Sequence, residues 1–348
     1  MRLAAAALNR TLLARQHLLE PVAMDPLELT GHLLGLQAQA TLPPYLSLRA
    51  RLEDCDPQAF SQAIADRRIV RMLLMRGTVH AVSPGDAVSL RRFVQPGLDR
   101  VARTSAVSRA AADVSRPALL DCAREALADG PMAVGPLGAR LAERFSGVPA
   151  EHLVNTLRET APLVQVPPRG QWQRSGGVQY QLLDSWVPGL PGPAPAADIA
   201  RRYLRAFGPA APADLTAWSG TAGMAGILAE LGDELVRHRT ESGREVLDLA
   251  GLPLVDPQTP APVRLLGRYD NLWLAHAGRD RVTAPQARRR WMGANGGVGD
   301  TVFVDGWLQG LWRRTPSGSV DVQLFDRITR AQRRELDAEI AAVEQFLG

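Results

Sequence analysis

Apolar positions along the chain recur first at helical and then at strand spacing, and the same order appears three times: two or three short helices, a strand, a tight turn and a second strand. In the first copy, Leu8 to Leu19 reads as a helix, and Asp25 with Pro26 opens a second whose Leu29, Leu33 and Leu36 share one face. A Pro43-Pro44 stop follows, then a helix from Asp56-Pro57 to Ala65. Strands Ile69 to Met75 and Thr78 to Val82 meet at Arg76-Gly77. The second copy has helices Pro117 to Ala128, Val134 to Phe145 and Pro149 to Thr160. Strands Leu163 to Val166 and Trp172 to Leu182 flank a basic turn, Pro167 to Gly170, which reads as a wing. Beyond a Pro/Gly/Ala linker, Pro188 to Ala197, the third copy has helices Asp198 to Phe207, Pro212 to Ser219 and Ala222 to Leu231. Strands Leu235 to Arg239 and Glu245 to Leu249 complete it. The tail holds a hairpin, Thr301 to Val304 and Trp307 to Trp312, turned by Asp305-Gly306, and a closing helix Thr329 to Leu347.

This order is the winged-helix pattern and predicts an α+β, mainly helical chain of three tandem winged-helix modules with a C-terminal β-hairpin region. The expected boundaries are 1–115, 116–187, 188–252 and 253–348. A helix fits the major groove while a wing tracks backbone or minor groove, so repeated winged helices point to duplex nucleic acid.

Composition sharpens that picture. All 40 basic residues are arginine, against 36 acids, for a net charge of +4. Arginine favours planar, bidentate partners such as phosphate and guanine edges, although a general Arg-for-Lys bias accounts for much of this. With no lysine, no side chain can form a Schiff base with a carbonyl substrate. Only Cys55 and Cys122 occur, and the six histidines show no metal-ligand spacing, so neither a disulfide framework nor a metal or other cofactor is expected. No apolar run approaches the ~20 residues of a membrane helix, and Asn9-Arg10 interrupts the early Ala-rich stretch, so a cytoplasmic monomer is the expectation.

The sharpest chemical feature is Leu36-Gln37-Ala38-Gln39 at the end of the second helix. On an ideal helix, positions i and i+2 point about 200° apart, so Gln37 and Gln39 converge only in extended or turn geometry. The bland alternative is two polar residues at a frayed helix end.

That segment, Leu74-Met75-Arg76-Gly77-Thr78-Val79-His80, Val166 to Trp172, and Tyr269-Asp270-Asn271-Leu272 through His276 to Arg281 together resemble the AlkZ family. These are bacterial winged-helix DNA glycosylases associated with self-resistance to DNA-alkylating antibiotics such as azinomycin. The resemblance covers nearly the whole chain. It implies a concave, C-shaped array of three winged helices on duplex DNA and excision of bulky N7-alkylpurines, interstrand crosslinks included. It assigns catalysis to Gln37 and Gln39. A related branch carries Gln-x-Asp, so Gln39 groups this chain with the self-resistance branch. The implied partner is double-stranded DNA with N7-alkylpurine lesions, with no membrane.

Seven further residues are candidate DNA contacts: Arg76, Thr78 and His80 on the first hairpin, Arg169 and Gln171 at the second wing, and Arg279 and Arg281. Each has an ordinary structural alternative: a half-buried strand histidine, a solvated turn, or arginines paired with Asp270 and Asp280. The run Arg288 to Arg290 reads as a solvated or phosphate-facing patch. Gly293 to Gly299 lacks the ending of a nucleotide-binding loop and reads as an ordinary loop. The competing function is a non-catalytic winged-helix regulator or damage binder.

Overall fold

The computed structural model describes residues 2–104, 111–291 and 299–348. The Gly293 to Gly299 loop therefore lies almost wholly outside the described residues. Helices and antiparallel sheets alternate along the chain, giving a mixed α+β architecture with three sheets among the described residues.

The largest sheet has six strands in the order Leu36–Gln37, Val79–Val82, Val70–Leu73, Leu163–Gln165, Gln179–Leu182 and Met132–Ala133. Its middle seam pairs Met72 with Val164 and Arg71 with Gln165, so the first two sequence copies share one continuous sheet. A three-stranded sheet joins Arg2–Leu3, in parallel, to the antiparallel hairpin Leu235–Thr240 and Glu245–Leu249. The tail forms a four-stranded sheet, Arg264–Leu266, Asp300–Val304, Trp307–Arg314 and Val320–Leu324. Its turn residues Asp305 and Gly306 both have positive φ, 49° and 76°, as a two-residue hairpin of this handedness requires.

Several expectations need correction. The second helix runs only over Pro26–His32, capped by Asp25 accepting from the Leu27 N–H. Leu34 and Gly35 then take positive φ, which turns the chain out of the helix, and Leu36–Gln37 becomes a strand rather than a helix end. Pro43 and Pro44 begin the helix Pro43–Arg49 instead of blocking one, because proline at the first turn forfeits an N–H that is unbonded anyway. The strand expected from Trp172 is confined to Gln179–Leu182: Trp172 packs in the core against Tyr45, and its N–H donates to Ser61 Oγ at 3.0 Å. The Pro167 to Gly170 turn docks on the first unit rather than projecting, since the Gly170 carbonyl accepts from Tyr45 Oη at 2.8 Å.

The 21-residue helix Pro84–Thr104 was absent from the periodicity reading. From it, Arg91 donates to the carbonyls of Leu73 (3.0 Å) and Glu159 (2.7 Å), bracing the first-unit strand against the second unit's third helix, Ala150–Thr160. At Gly97 this helix comes so close to the third unit that a Cβ would lie 2.5 Å from the Gly220 carbonyl oxygen.

Apolar packing divides the chain unevenly. One buried cluster runs from Leu12 to Leu347 through the first unit, the third unit and the tail, and takes in Val164, Val166, Trp172 and Leu183 from the second. Leu119, Leu137, Leu141, Leu153, Leu157, Tyr180 and Leu182 belong to a separate cluster that gives the second unit a core of its own. No described helix is long and apolar enough to cross a membrane.

Candidate active site around the glutamine pair

The two glutamines sit at one edge of the six-stranded sheet. Gln37 lies opposite His80 and Leu36 opposite Ala81, and the Ala38 N–H continues the ladder by donating to the Val79 carbonyl at 2.7 Å. The segment thus has the extended geometry that the pair requires if its two side chains are to act together. Gln37 is buried, 7% exposed, and no described group donates to its Oε1 although that atom is shut off from solvent. Gln39, in the bend just after the strand, is exposed, and its Oε1 accepts the Val79 N–H at 3.2 Å. An sp² carbonyl oxygen accepts two hydrogen bonds, so Gln39 retains acceptor capacity beyond that contact.

The backbone under the pair is held from three sides. Gly35, at φ +96°, packs so tightly that a Cβ would meet Val82 Cγ1 at 2.4 Å. Asn271 Nδ2 donates to the carbonyls of Gly35 (3.0 Å) and Leu33 (3.2 Å). Arg71 donates to the Ala38 carbonyl at 2.7 Å and to the Arg169 carbonyl at 3.0 Å, tying the pair to the 167–170 turn. Burial, then the charge of Arg169, brings Arg71 down to about 10, so it stays cationic at neutral pH. Next to Asn271, Asp270 forms a fully buried two-pronged pair with Arg51, at 2.7 and 2.9 Å, and accepts from Ser47 Oγ. The anticipated pairing of Asp270 with Arg279 or Arg281 does not occur, because Arg51 already fills both carboxylate oxygens.

His80 is 1% exposed. Its Nδ1 lies 2.9 Å from the Thr78 carbonyl, which can only accept, so the proton is on Nδ1 and Nε2 carries the lone pair. Burial, reinforced by Arg76, pushes its pKa down to about 3, and the ring is neutral at pH 7. Thr78 Oγ1 donates to the Met75 carbonyl at 3.0 Å. Arg76, in the left-handed region at φ 57°, donates to the Trp218 carbonyl and so links the first hairpin to the third unit. Burial and the nearby charge of Arg279 lower it to about 10.

Arg169 and Gln39 line the same cavity, of about 260 Å³, together with Arg158, Asn155 and Tyr180. Gln171 faces a different cavity of about 210 Å³, beside Trp172 and Arg314. Arg279 is half-buried, its pKa lowered by burial and by Arg288. Arg281 is buried and donates to the Pro209 carbonyl at 3.0 Å. The structure therefore gathers Gln37, Gln39, Thr78 and His80 on neighbouring backbone, brings Arg169 to Gln39, sets Arg76 near Arg279, and leaves Gln171 and Arg281 elsewhere. Among the described residues no cluster of His, Cys, Asp or Glu could hold a metal ion.

Sequence reasoning missed Asn271, Arg71 and Arg158 as site residues. Asn271 lies within the Tyr269 to Leu272 motif, which was a signal; a lone arginine on a strand or late in a helix gives none.

The path of the chain is that of a solved protein, and the class of protein follows from its family. Streptomyces sahachiroi DNA glycosylase AlkZ superposes at a TM-score of 0.84 over 100% of this chain and 98% of that one, with 21% identity. A curated relative described as an interstrand DNA cross-link repair glycosylase, from the same organism, is 26% identical over 352 residues, spanning 94% of this chain and 92% of the relative. Residues 30–346 match the family described as DNA glycosylase AlkZ-like, and the chain belongs to that family.

Proposed function

We propose that this protein is a monofunctional DNA glycosylase that hydrolyses the N-glycosidic bond of N7-alkylated purines in duplex DNA, with Gln37 and Gln39 as its catalytic residues. The observation that carries the reading is the placement of the pair: Gln37 stands on the edge strand with a buried Oε1 that no described group donates to, and an unmet acceptor of this kind costs a fold about 1–3 kcal/mol. It occurs in the Gln-x-Gln segment that the sequence resemblance marks, two residues from an exposed glutamine on an arginine-lined cavity.

The chemistry follows from neutral groups. Alkylation at N7 leaves the purine formally cationic, so when the C1′–N9 bond breaks, its electron pair leaves with the base and the base departs neutral without being protonated. Water then adds to the oxocarbenium-like C1′ and releases its proton to solvent, as in glycoside hydrolysis generally. An amide does not take up a proton at pH 7, so neither glutamine is a general base. Each offers a carbonyl that can accept from a water and orient its lone pair toward C1′, directly at the exposed Gln39 and, at Gln37, once substrate binding opens its enclosed Oε1. An undamaged purine, a far worse leaving group, would gain too little from this, which is a source of selectivity. With no lysine in the chain, the product is an intact abasic site without β-elimination.

The same reading makes the helix-plus-hairpin units 1–115, 116–187 and 188–252 three winged-helix modules set in a concave array, with 253–348 as a closing β-rich region. The protein would act as a monomer in the cytoplasm on double-stranded DNA. The relative's description as an interstrand cross-link repair glycosylase supports including interstrand crosslinks among the proposed substrates; bulky natural-product adducts, with protection of a producing cell as the role, are part of the same proposal. Arg76, Thr78, Arg169, Gln171 and Arg279, which are partly exposed, remain proposed duplex contacts; the sequence marks His80 and Arg281 as contacts too, but they are buried on internal carbonyl partners and face no duplex. Base release from an N7-methylguanine duplex tests the reading: wild type leaves heat-labile abasic sites, whereas a protein that binds the duplex and releases nothing is a damage binder.

A further inference from the structure

The cavity that Gln39 lines is walled on its far side by the helix Ala150–Thr160 and the 167–178 segment. Two guanidinium groups reach it. Arg158 donates to Asn155 Oδ1 at 3.1 Å and lies over the Tyr180 ring at 6.0 Å, and Arg169 donates to the Gly176 carbonyl at 3.2 Å. Neither forms an ion pair with a carboxylate among the described residues, and the Arg169 Nε is buried with no acceptor. The one carboxylate on the lining, Glu151, is exposed and turns toward His152 at 3.7 Å. A third cation, Arg71, stands behind Arg169. Some arginines of this chain are matched with acids, as in Arg51–Asp270, Arg15–Asp248 and Arg49–Glu339, and others, such as Arg91 and Arg281, reach only carbonyls; Arg158 and Arg169 are of the second kind and differ in lining a cavity.

Unmatched guanidinium groups on a polar cavity wall are a receptor for an oxyanion, and their planar, forked donors fit two oxygens of one phosphate. They would repel a cationic N7-alkylpurine, so the base itself is not the occupant. The geometry points to a seat for a DNA backbone phosphate, formed by Arg158 and Arg169, that fixes the phosphodiester adjoining the reacting deoxyribose across the cavity from Gln39. The inference rests on the glycosylase reading and deepens it. It makes Arg158 and Arg169 positioning residues: they hold the sugar so that C1′ faces the glutamines, and they contact neither the leaving base nor the water.

The test combines equilibrium binding to an undamaged duplex over a range of salt concentrations with single-turnover base release from an N7-methylguanine duplex at saturating enzyme. Arg158→Gln should weaken duplex binding about tenfold and reduce the salt slope by about one, as removal of one phosphate contact does, and should slow base release at saturation at least tenfold. Arg158→Lys, which keeps the charge, should restore the salt slope. Arg169→Gln should behave as Arg158→Gln does and serves as the second variant if that one fails to fold, which its melting temperature reports. Unchanged affinity and slope in both variants would overturn the seat. Weakened binding with an unchanged saturated release rate would overturn its position beside the reacting sugar. If wild type releases no base while Arg158→Gln still loses a unit of slope, the glycosylase reading fails and the phosphate seat stands.

Discussion

At the scale of single residues, the site is a contrast between satisfied and unsatisfied polar atoms. Around the glutamine pair, Asn271, Arg71 and Asp270 have their hydrogen bonds filled by named backbone or side-chain partners. Gln37 Oε1 has none. The surrounding polar groups therefore act as scaffold, and Gln37 Oε1 is a buried acceptor they leave unmet, as they leave the Arg51 and Arg169 Nε donors. Asp270 shows how firm that scaffold is. Burial alone would raise its pKa, but Arg51's charge and hydrogen bonds, with those of the Leu272 N–H and Ser47, outweigh it and hold the carboxyl below its ordinary value. A carboxyl depressed in the folded state stabilises the fold above its unfolded pKa of about 3.9, and that stability is lost as pH falls through the folded value. Asp270→Ala leaves Arg51 charged and buried, so denaturant titration at pH 7 should find a loss of about 3–5 kcal/mol. A loss below about 1 kcal/mol would mean the pair contributes little.

Secondary-structure elements place that scaffold, and here the turn out of the second helix matters most. Gly35→Ala forces a side chain into the left-handed region and against Val82, so thermal unfolding should show a loss of about 1–3 kcal/mol, with base release reduced as the Leu36–Gln37 strand shifts. The adjacent strand carries a pH signature. His80 titrates near its ordinary 6.5 when unfolded but only near 3 when folded, so the unfolded chain binds the extra proton and stability should fall as pH drops from about 6.5 toward 3. Denaturation midpoints for wild type and His80→Gln should diverge in slope over that interval; parallel curves would show that His80 is not held neutral. Much at this scale was legible in the sequence. Caps such as Asp56-Pro57 and Thr329, and the Asp305-Gly306 turn, mark their elements because they act locally. What escaped was set by tertiary contact: Pro84–Thr104 is recognisable as one helix through the carbonyls and backbone it packs against, and Trp172 left its expected strand for an aromatic cluster with Tyr45 and Phe346.

For the whole molecule, the repeated order seen in the sequence becomes unequal units. The first two share a sheet through Arg71–Gln165 and Met72–Val164, yet the second keeps a separate apolar core, while the first, third and tail share one. The cavity beside Gln39 is formed between the first two units, so residues more than 100 positions apart, Gln39 and Arg158, face one space. No local pattern could have joined them. The glutamine motif itself was legible, and the rule that i and i+2 converge only off the helix named the geometry the pair needs, but the segment is a strand rather than the helix end that the sequence suggests. The division of the pair into one buried and one exposed carboxamide was not, since burial depends on the neighbouring strand and on Asn271 from the distant tail.

The central claim is that two neutral carboxamides direct a water at the sugar of a cationic purine. It is tested most directly by single-turnover base release from an N7-methylguanine duplex, with wild type, Gln37→Ala and Gln39→Ala compared at saturating enzyme and duplex affinity measured alongside. The account predicts release by wild type, a fall of at least about a hundredfold in each variant, and affinity within about threefold of wild type for all three. Release by both variants at the wild-type rate, or binding by wild type without any release, would contradict it.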